Sequence, residues 1–250
     1  MLIDFFQDFT MRLVPVFLRQ QLRGLPVDLA KRAELRAQFQ DQIGEAAARL
    51  EAFAGRRVLA KKGFSPPVLL DLLYNKLKLP KQFHPKTKKL TANREALEKL
   101  ESKVDDARRP LFQDIYTVRD LGVLVNTFLD ARLDADDYFR WSSNLAGTVT
   151  GRISTSASPF WTGSNVQNIS EDIRDIFIAP QGYIFVYADG EQAEARVVAF
   201  LAEDRNLIGV FESGVNVHAK MASVLFGTRV PETPKEFEAL KQSSFNELAK

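Results

Sequence analysis

The feature that most constrains the fold of this chain is a strand-like run that ends at an Asp-Gly pair and passes at once into a helix-like segment. Residues 183–187, YIFVY, have the length and the apolar, aromatic composition of a strand that is buried on both faces. Gly190 permits a sharp change in backbone direction, and residues 191–202 are rich in Ala and Glu at helical spacing. We therefore expect Asp189 at a strand end, beside the start of a helix.

That position suits a hard metal ion. Mg²⁺ binds through one or two protein carboxylates, a backbone carbonyl and substrate phosphates, and it keeps several waters. Asp-Gly is also a common turn dipeptide, and Asp often caps helices, so the dipeptide by itself favours a turn over a metal site.

The longer pattern that begins at this pair resembles a known family. Residues 189–227 resemble motif A and the following helices of the family A (polymerase I-like) DNA polymerases, of phage type, whose usual form begins D-Y-S-Q-x-E-x-R. The resemblance implies an α+β fold: a helical thumb hairpin, part of an antiparallel-sheet palm and the first fingers helices of a right-hand polymerase. The matching positions are Asp189, Gln192, Glu194, Arg196, Leu201, Asp204, Asn206, Leu207, Phe211, Gly214, His218, Ala222, Phe226 and Gly227.

The composition is that of a globular protein without a strong charge bias. Of the 250 residues 45% are apolar, and Lys and Arg outnumber Asp and Glu by only 34 to 32. Net charge therefore predicts neither nucleic-acid nor membrane binding, and any basic site must be local. The absence of Cys excludes disulfides and thiolate metal sites. We find no secretory leader and no apolar run of about 20 residues, so we expect a soluble protein in the cytoplasm of a bacterial or phage-infected cell.

Residues 1–62 are predicted to form two helices that lead into the polymerase domain. The first covers residues 3–21, and the second runs from Asp28 to Arg56. Asp28 is a suitable N-cap, and Gly55 ends the second helix.

Residues 63–130 are predicted to form a helical hairpin, with arms over 65–79 and 93–131 and a polar tip between them. Charge runs usually mark solvated segments, but a basic tip between two helices can also hold a duplex backbone without reading its sequence. The region resembles the polymerase thumb, which grips the minor groove behind the primer end, and the resemblance implies DNA contacts for Lys86, Lys88 and Lys89. The basic residues at and beside the tip are Lys76, Lys78, Lys81, Lys86, Lys88, Lys89 and Arg94, with no acidic residue between the first and the last.

Residues 131–204 are predicted to be part of the palm and include two short signatures besides motif A. Thr150-Gly151-Arg152 and Gln167-Asn168 resemble the family's T-G-R-L-S and L-Q-N-I sequences, and the resemblance implies that these residues contact DNA. An Arg on a rigid Gly turn can reach minor-groove acceptors, which every base pair offers.

Other palm segments carry structural predictions. Residues 138–149 and 174–180 are each predicted to be strands, and residues 130–138 a polar turn without a metal. Phe160 and Trp161, in a loop longer than that of the bacterial family members, either stack on nucleic acid or pack under the loop.

The resemblance implies two-metal nucleotidyl transfer to a primer 3′-hydroxyl, with Mg²⁺ as cofactor and primer–template DNA and a dNTP as partners. Asp189 would bridge both ions, and the carbonyl of Gly190 would be a further ligand. Gln192, Glu194 and His218 would bind the nucleotide, Glu194 under its sugar and His218 at its β-phosphate. By residue type alone, Glu194 is a solvated helix carboxylate and His218 a surface or packing residue.

Residues 205–250 are predicted to begin the fingers. The second catalytic Asp and the remaining nucleotide-binding fingers residues would lie outside these 250 residues, so we expect this chain alone not to polymerise DNA. Either the chain is an incomplete copy of a longer polymerase, or a second polypeptide that carries the fingers and the C-terminal palm completes a split enzyme. A primer–template-binding remnant without catalysis is the alternative.

Overall fold

The computed structural model describes residues 2–60, 63–188, 190 and 192–227. The chain divides into two compact units, Met1–Ile184 and Phe185–Lys250. The described residues form ten α-helices, with π-helical and 3₁₀ turns, and three small antiparallel sheets of two strands each. The predicted α+β class is confirmed. No described helix is long and apolar enough to cross a membrane.

The N-terminal helices agree with the prediction. Helix α1 (Leu2–Phe5) continues through a π-helical turn (Phe6–Thr10) into α2 (Met11–Arg23), and α3 runs over Leu29–Ala54. The Asp28 side chain caps α3 by accepting from the backbone N–H of Lys31, and Gly55 ends it in a left-handed conformation.

The predicted hairpin is confirmed for its first arm and wrong in one detail of its second. The first arm consists of α4 (Pro66–Asp71) and a π-helical turn (Leu72–Lys76). The second arm is not one helix: α5 (Arg94–Glu101) and α6 (Arg109–Leu124), which continues into a π-helical turn (Val125–Leu129), are separated by turns. Pro110 has no N–H and therefore favours the first turn of a new helix over the interior of a longer one.

The first hydrophobic core of unit 1 lies between these helices. The most extensive helix–helix contact is that of α3 with α6, and α5 packs on α6. The side chains that are completely buried here are Ala46, Leu50, Val58, Leu73, Leu97, Leu100, Phe112, Ile115 and Val118.

The second core of unit 1 holds the ends of α3 and α6 against a small sheet. Strand β1 (Leu25–Pro26) pairs antiparallel with β4 (Tyr138–Phe139), and β2 (Leu59–Ala60) pairs with β3 (Gly63–Phe64) at the edge of the first core. Phe139 is fully buried, stacked on Phe128 at 6.3 Å and edge-on to Phe177 at 5.4 Å. Aromatic packing therefore fixes the polar turn at residues 130–137 against the helices.

Two predicted strands are shorter than expected. Within residues 138–149 only β4 and β5 (Trp141–Asn144) are strands, because the Asn144 side chain accepts from the backbone N–H of Ala146 and starts a turn. Residues 174–180 are not a strand: Ser170 caps α7 (Glu171–Arg174), and only Phe177 forms an isolated bridge, with Val27.

The predicted strand at residues 183–187 is wrong. No described residue pairs with it, and Ile184 and Val186 are about four-fifths exposed, at 83% and 80%. The apolar composition was the basis of the prediction, but a strand also needs a partner for its N–H and C=O groups.

Unit 2 is helical in its described part. Helix α8 (Ala193–Leu201) is followed by α9 (Arg205–Glu212) and α10 (Val217–Phe226), as predicted, and α9 packs on both of the others. The helix predicted to begin after residue 230 lies outside the described residues.

Candidate nucleic-acid interface

The Thr150–Arg152 signature forms a tight exposed turn between β5 and β6 (Ser154–Ala157). The Thr148 hydroxyl donates to the carbonyl of Arg152 at 2.7 Å, and the backbone N–H of Gly151 donates to the carbonyl of Thr148 at 3.3 Å. Gly151 has φ +74°, a conformation that side chains rarely adopt. The turn therefore presents Arg152 at the surface on a backbone that is fixed by its own hydrogen bonds.

The second signature is joined to the first by hydrogen bonds. Gln167 and Asn168 lie in a 3₁₀ turn (Val166–Asn168), and both are exposed. The Gln167 side-chain amide donates to the carbonyl of Ile153 at 3.0 Å, and the Thr155 hydroxyl donates to the amide oxygens of Asn165 and Gln167. The structure thus brings together two signatures that lie fifteen residues apart in the sequence, since 167 − 152 is 15.

A groove of about 460 Å³ lies next to these residues within unit 1. Its lining includes Gly151, Arg152 and Gln167, together with Phe5 and Phe9, whose rings are stacked 5.1 Å apart. The site therefore combines polar hydrogen-bonding groups with apolar surface.

The basic tip is an ordered turn. The backbone N–H of His84 donates to the carbonyl of Lys89 at 2.8 Å, and Phe83 forms an antiparallel bridge with Leu90. The His84 Nδ1 accepts from the backbone N–H groups of Lys86 and Thr87, each at 3.3 Å. The only sequence signal for this role of His84 is its place two and three residues before the N–H groups of Lys86 and Thr87, where a His is a possible acceptor.

Only part of the predicted basic run is available at the tip. Lys86, Lys88 and Lys89 are exposed. The Lys76 ammonium donates to the carbonyl of Ala54, and Arg94 pairs with Glu98 at 2.9 Å and Asp120 at 2.8 Å. Lys76 and Arg94 therefore contact neighbouring helices. The exposed charge of the tip comes from four lysines, with Lys78 exposed just before them: Lys81, Lys86, Lys88 and Lys89.

The motif A region is only partly described. Asp189, the predicted metal ligand, and Glu191 lie outside the described residues. The carbonyl of Gly190, the second predicted ligand, accepts from the N–H of Ala193 at 3.2 Å. Among the described residues no group of three His, Cys, Asp or Glu side chains could hold a metal ion. The described donors therefore do not by themselves form a metal site.

The predicted nucleotide-binding residues lie in unit 2. Gln192 occupies the N-cap position of α8 in a left-handed conformation, φ +52°, but its side chain makes no capping hydrogen bond. Its buried Oε1 has no hydrogen-bond partner among the described residues. Glu194 is exposed in the first turn of α8. His218 is exposed in the first turn of α10, which Asn216 caps.

Arg140 is a residue that we did not single out from the sequence. Its guanidinium pairs with Asp134 and Asp136, each at 2.7 Å, and donates to the carbonyl of Leu22 at 2.9 Å. Hydrogen bonds from Arg140 lower the pKa of Asp136, and the same pairs raise the pKa of Arg140. The i, i+4 spacing of Asp136 and Arg140 is the one signal that the sequence offered.

The comparisons with known proteins agree on one family. The sequence model of DNA polymerase family A matches residues 30–246. DNA polymerase I of Mycobacterium tuberculosis (strain ATCC 25618 / H37Rv) is 32% identical over 231 residues, which cover 88% of this chain and 24% of the relative. The thermostable DNA polymerase I of Thermus aquaticus is 32% identical over 248 residues, which cover 93% of this chain and 28% of the relative. The chain thus spans about a quarter of the length of these curated relatives.

A solved structure gives the same result. The POL domain of Pol1 from M. smegmatis, in complex with DNA primer-template and dNTP, matches with a TM-score of 0.67 and 30% sequence identity. The match covers 89% of this chain and 39% of that one.

Proposed function

This chain belongs to DNA polymerase family A, and from that membership we propose that it provides the DNA-binding thumb and part of the palm of a DNA-directed DNA polymerase. Residues 63–130 would be the thumb, 131–204 part of the palm and 205–250 the beginning of the fingers, with residues 1–62 leading into them. The partners would be primer–template DNA and a dNTP, the ligands of the matched M. smegmatis complex.

The observation that supports this proposal most is the hydrogen-bonded pair of signatures. Arg152 and Gln167 lie on adjacent turns, both exposed, and the backbone of each is held by neighbouring side chains. Minor-groove acceptors occur at N3 and O2 of every base pair, so an Arg and a Gln in fixed positions would check the shape of a pair without reading its identity. Thr150, Gly151 and Asn168 would complete this contact.

The chemistry would require Mg²⁺. A pair of ions held at Asp189 and the Gly190 carbonyl would lower the pKa of the primer hydroxyl and stabilise the leaving pyrophosphate. Whether this site can hold Mg²⁺ depends on Asp189, because the Gly190 carbonyl is the only one of the two proposed ligands that lies among the described residues. Gln192, Glu194 and His218 would orient the nucleotide, Glu194 at the sugar and His218 at the β-phosphate.

Binding to a duplex with a recessed 3′ end tests the thumb assignment. We expect affinity to fall steeply with salt, because lysines that neutralise phosphates release counterions. Replacing Lys86, Lys88 and Lys89 together by Gln should reduce the slope of log K against log[salt] by about 2 to 3. Fluorescence anisotropy at several salt concentrations measures the slope.

The matched control is the triple variant Lys31→Gln, Lys99→Gln, Lys103→Gln. It removes the same charge from positions on α3, on α5 and just after α5, outside the tip at residues 80–91. Equal slopes for the two triple variants would contradict a specific role for the tip.

Asp189 is tested in a chimera. Residues 30–246 would replace the matched segment of the Thermus aquaticus enzyme, and the parent chimera must extend a primer. Asp189→Ala should lower extension by at least about 10³-fold, since it removes the metal-bridging carboxylate, and leave duplex affinity unchanged. Extension within about 10-fold of the parent would exclude the metal role and favour the non-catalytic remnant.

A split enzyme with a second polypeptide gains no support from the comparisons. In the relatives reported above, the matched segment is part of one longer chain. A phage-type origin stays a prediction from the length of the loop at residues 156–164.

A further inference from the structure

Two large aromatic side chains are exposed to solvent on the turn at residues 158–162. Phe160 and Trp161 are 74% and 81% exposed. The prediction that they pack under the loop is therefore wrong, and neither side chain contributes to a core. Exposed aromatic rings on adjacent residues are unusual on a surface that has no partner.

Hydrogen bonds between side chains and backbone hold this turn in one conformation. The hydroxyls of Ser158 and Thr162 are buried and lie 2.6 Å apart, and the backbone N–H of Ser158 donates to the carbonyl of Thr162 at 2.9 Å. The Ser158 hydroxyl also accepts from the N–H of Phe160 at 3.2 Å. The aromatic pair therefore does not lie on a loose loop.

The backbone of Trp161 is strained. Its φ is +57°, in the left-handed region, where a bulky side chain is disfavoured. Such a residue persists only because the surrounding hydrogen bonds hold it, and strained residues of this kind cluster at functional sites, ligand-binding sites among them.

The surroundings indicate the chemistry of the ligand. The N–H of Gly163 donates to the carbonyl of Arg132 at 2.7 Å, so the backbone of Arg132, an exposed residue, lies beside the aromatic turn. The sequence around the pair, SASPFWTGS, is otherwise small and polar. Aromatic rings next to a cation are a usual means of binding single-stranded nucleic acid.

The position of the turn agrees with this ligand. Strand β6 joins it to the Thr150–Arg152 turn, and four strand residues span about 13 Å, which is about four base-pair steps of DNA. We propose that Phe160 and Trp161 form a stacking platform for an unpaired base of single-stranded DNA, with Arg132 at the adjoining phosphate. The proposal rests in part on the proposed function, because it assumes that DNA is the ligand of this edge.

The test is the binding of a labelled eight-nucleotide dT oligonucleotide to the full chain. Trp161→Ala should weaken binding about 10-fold, since stacking contributes substantially for each base. The slope of log K against log[salt] for dT binding should not change in Trp161→Ala, because no charge is lost. Arg132→Gln should reduce that slope by about 0.7. The matched control is Phe53→Ala, an aromatic that is 44% exposed on α3, which should bind like the parent chain.

Tryptophan emission gives a second readout. Saturation with dT should quench the parent chain, and Trp161→Phe should abolish the quenching while it keeps an aromatic ring for binding. Parent-like dT affinity in both Trp161→Ala and Phe160→Ala, or quenching that survives in Trp161→Phe, would overturn the proposal and leave the turn to a protein contact.

The outcomes separate this proposal from the proposed function. A chain that binds dT through Trp161 but does not bind the recessed duplex supports the platform and contradicts the thumb assignment. A chain that binds the duplex with the predicted lysine dependence but shows no effect of Trp161→Ala on dT contradicts the platform alone.

Discussion

Arg140 shows how one side chain fixes several parts of unit 1. Its guanidinium holds Asp134 and Asp136 in the polar turn and reaches the last turn of α2 at the carbonyl of Leu22. Its side chain is only 22% exposed, so these charge-assisted bonds are less screened than surface ion pairs. A planar five-donor group is required, because an ammonium cannot make paired bonds to one carboxylate and also reach a carbonyl.

The lowered pKa of Asp136 predicts how stability depends on pH. A carboxylate whose pKa lies below its ordinary value of 3.8 in the folded chain adds stability above that value and loses it as pH falls further. The free energy of unfolding of unit 1 should therefore drop below about pH 4, and less so in Asp136→Asn. Urea unfolding followed by tryptophan emission, at about pH 6 and about pH 3, measures the difference. An equal drop in both proteins would contradict the role of this pair.

At the scale of the element, the aromatic turn and Arg140 are coupled through the backbone. Gly163 has φ +63°, and a Cβ built there would lie 1.7 Å from the carbonyl oxygen of Arg140. The turn that displays Trp161 can therefore approach the β4–β5 segment only because residue 163 lacks a side chain.

Gly163→Ala should destabilise unit 1 by about 3 kcal/mol, because backbone must move to relieve the clash as well as the unfavourable φ. Gly55→Ala is the matched control: its φ is +67°, but a Cβ there meets only the flexible end of Lys76, at 3.5 Å. It should cost about 1 kcal/mol. Urea unfolding measures both free energies, and equal losses would show that the close approach to Arg140 does not matter.

Local chemistry explains which elements could be predicted. Asp28, Gly55 and the prolines after Ser65 act on their own backbone, so the sequence suffices to locate the helix ends. The break between α5 and α6 was missed because the apolar spacing continues across it, although Pro110 was a signal. The strand predicted at 183–187 depended on a partner, which no local pattern reveals.

In the candidate site, too, the sequence identifies some residues and not others. The Thr150–Arg152 and Gln167–Asn168 signatures could be found from residue order, and the fold brings them together. The roles of His84, Arg140 and Ser158 have weak or no signals in the sequence, because each depends on where the fold places a backbone group. The metal assignment stays a prediction, since Asp189 lies outside the described residues.

At the scale of the whole molecule, the two units differ in how much they bury. Unit 1 has two hydrophobic cores with many completely buried side chains. In the described part of unit 2 the buried residues are Ala199, Phe211, Ala219 and Ser223, and Phe211 is covered by the guanidinium of Arg196 at 4.7 Å. Because stabilisation follows buried apolar area, the described helices of unit 2 should be less stable than unit 1.

This difference predicts two unfolding transitions with different signals. Both tryptophans, Trp141 and Trp161, lie in unit 1, whereas helices of both units contribute to far-ultraviolet circular dichroism. On urea titration the first loss of helical signal should leave tryptophan emission unchanged, and the second should change both.

Core truncations assign the two transitions. Phe211→Ala removes the largest buried ring in the described part of unit 2 and should eliminate the first transition, because its cost of about 3 to 5 kcal/mol exceeds what so small a core supplies. Leu97→Ala, at a fully buried position in unit 1, should move only the second transition to lower urea. A single transition, coincident in both signals and shifted by either substitution, would mean that the two units unfold as one cooperative body.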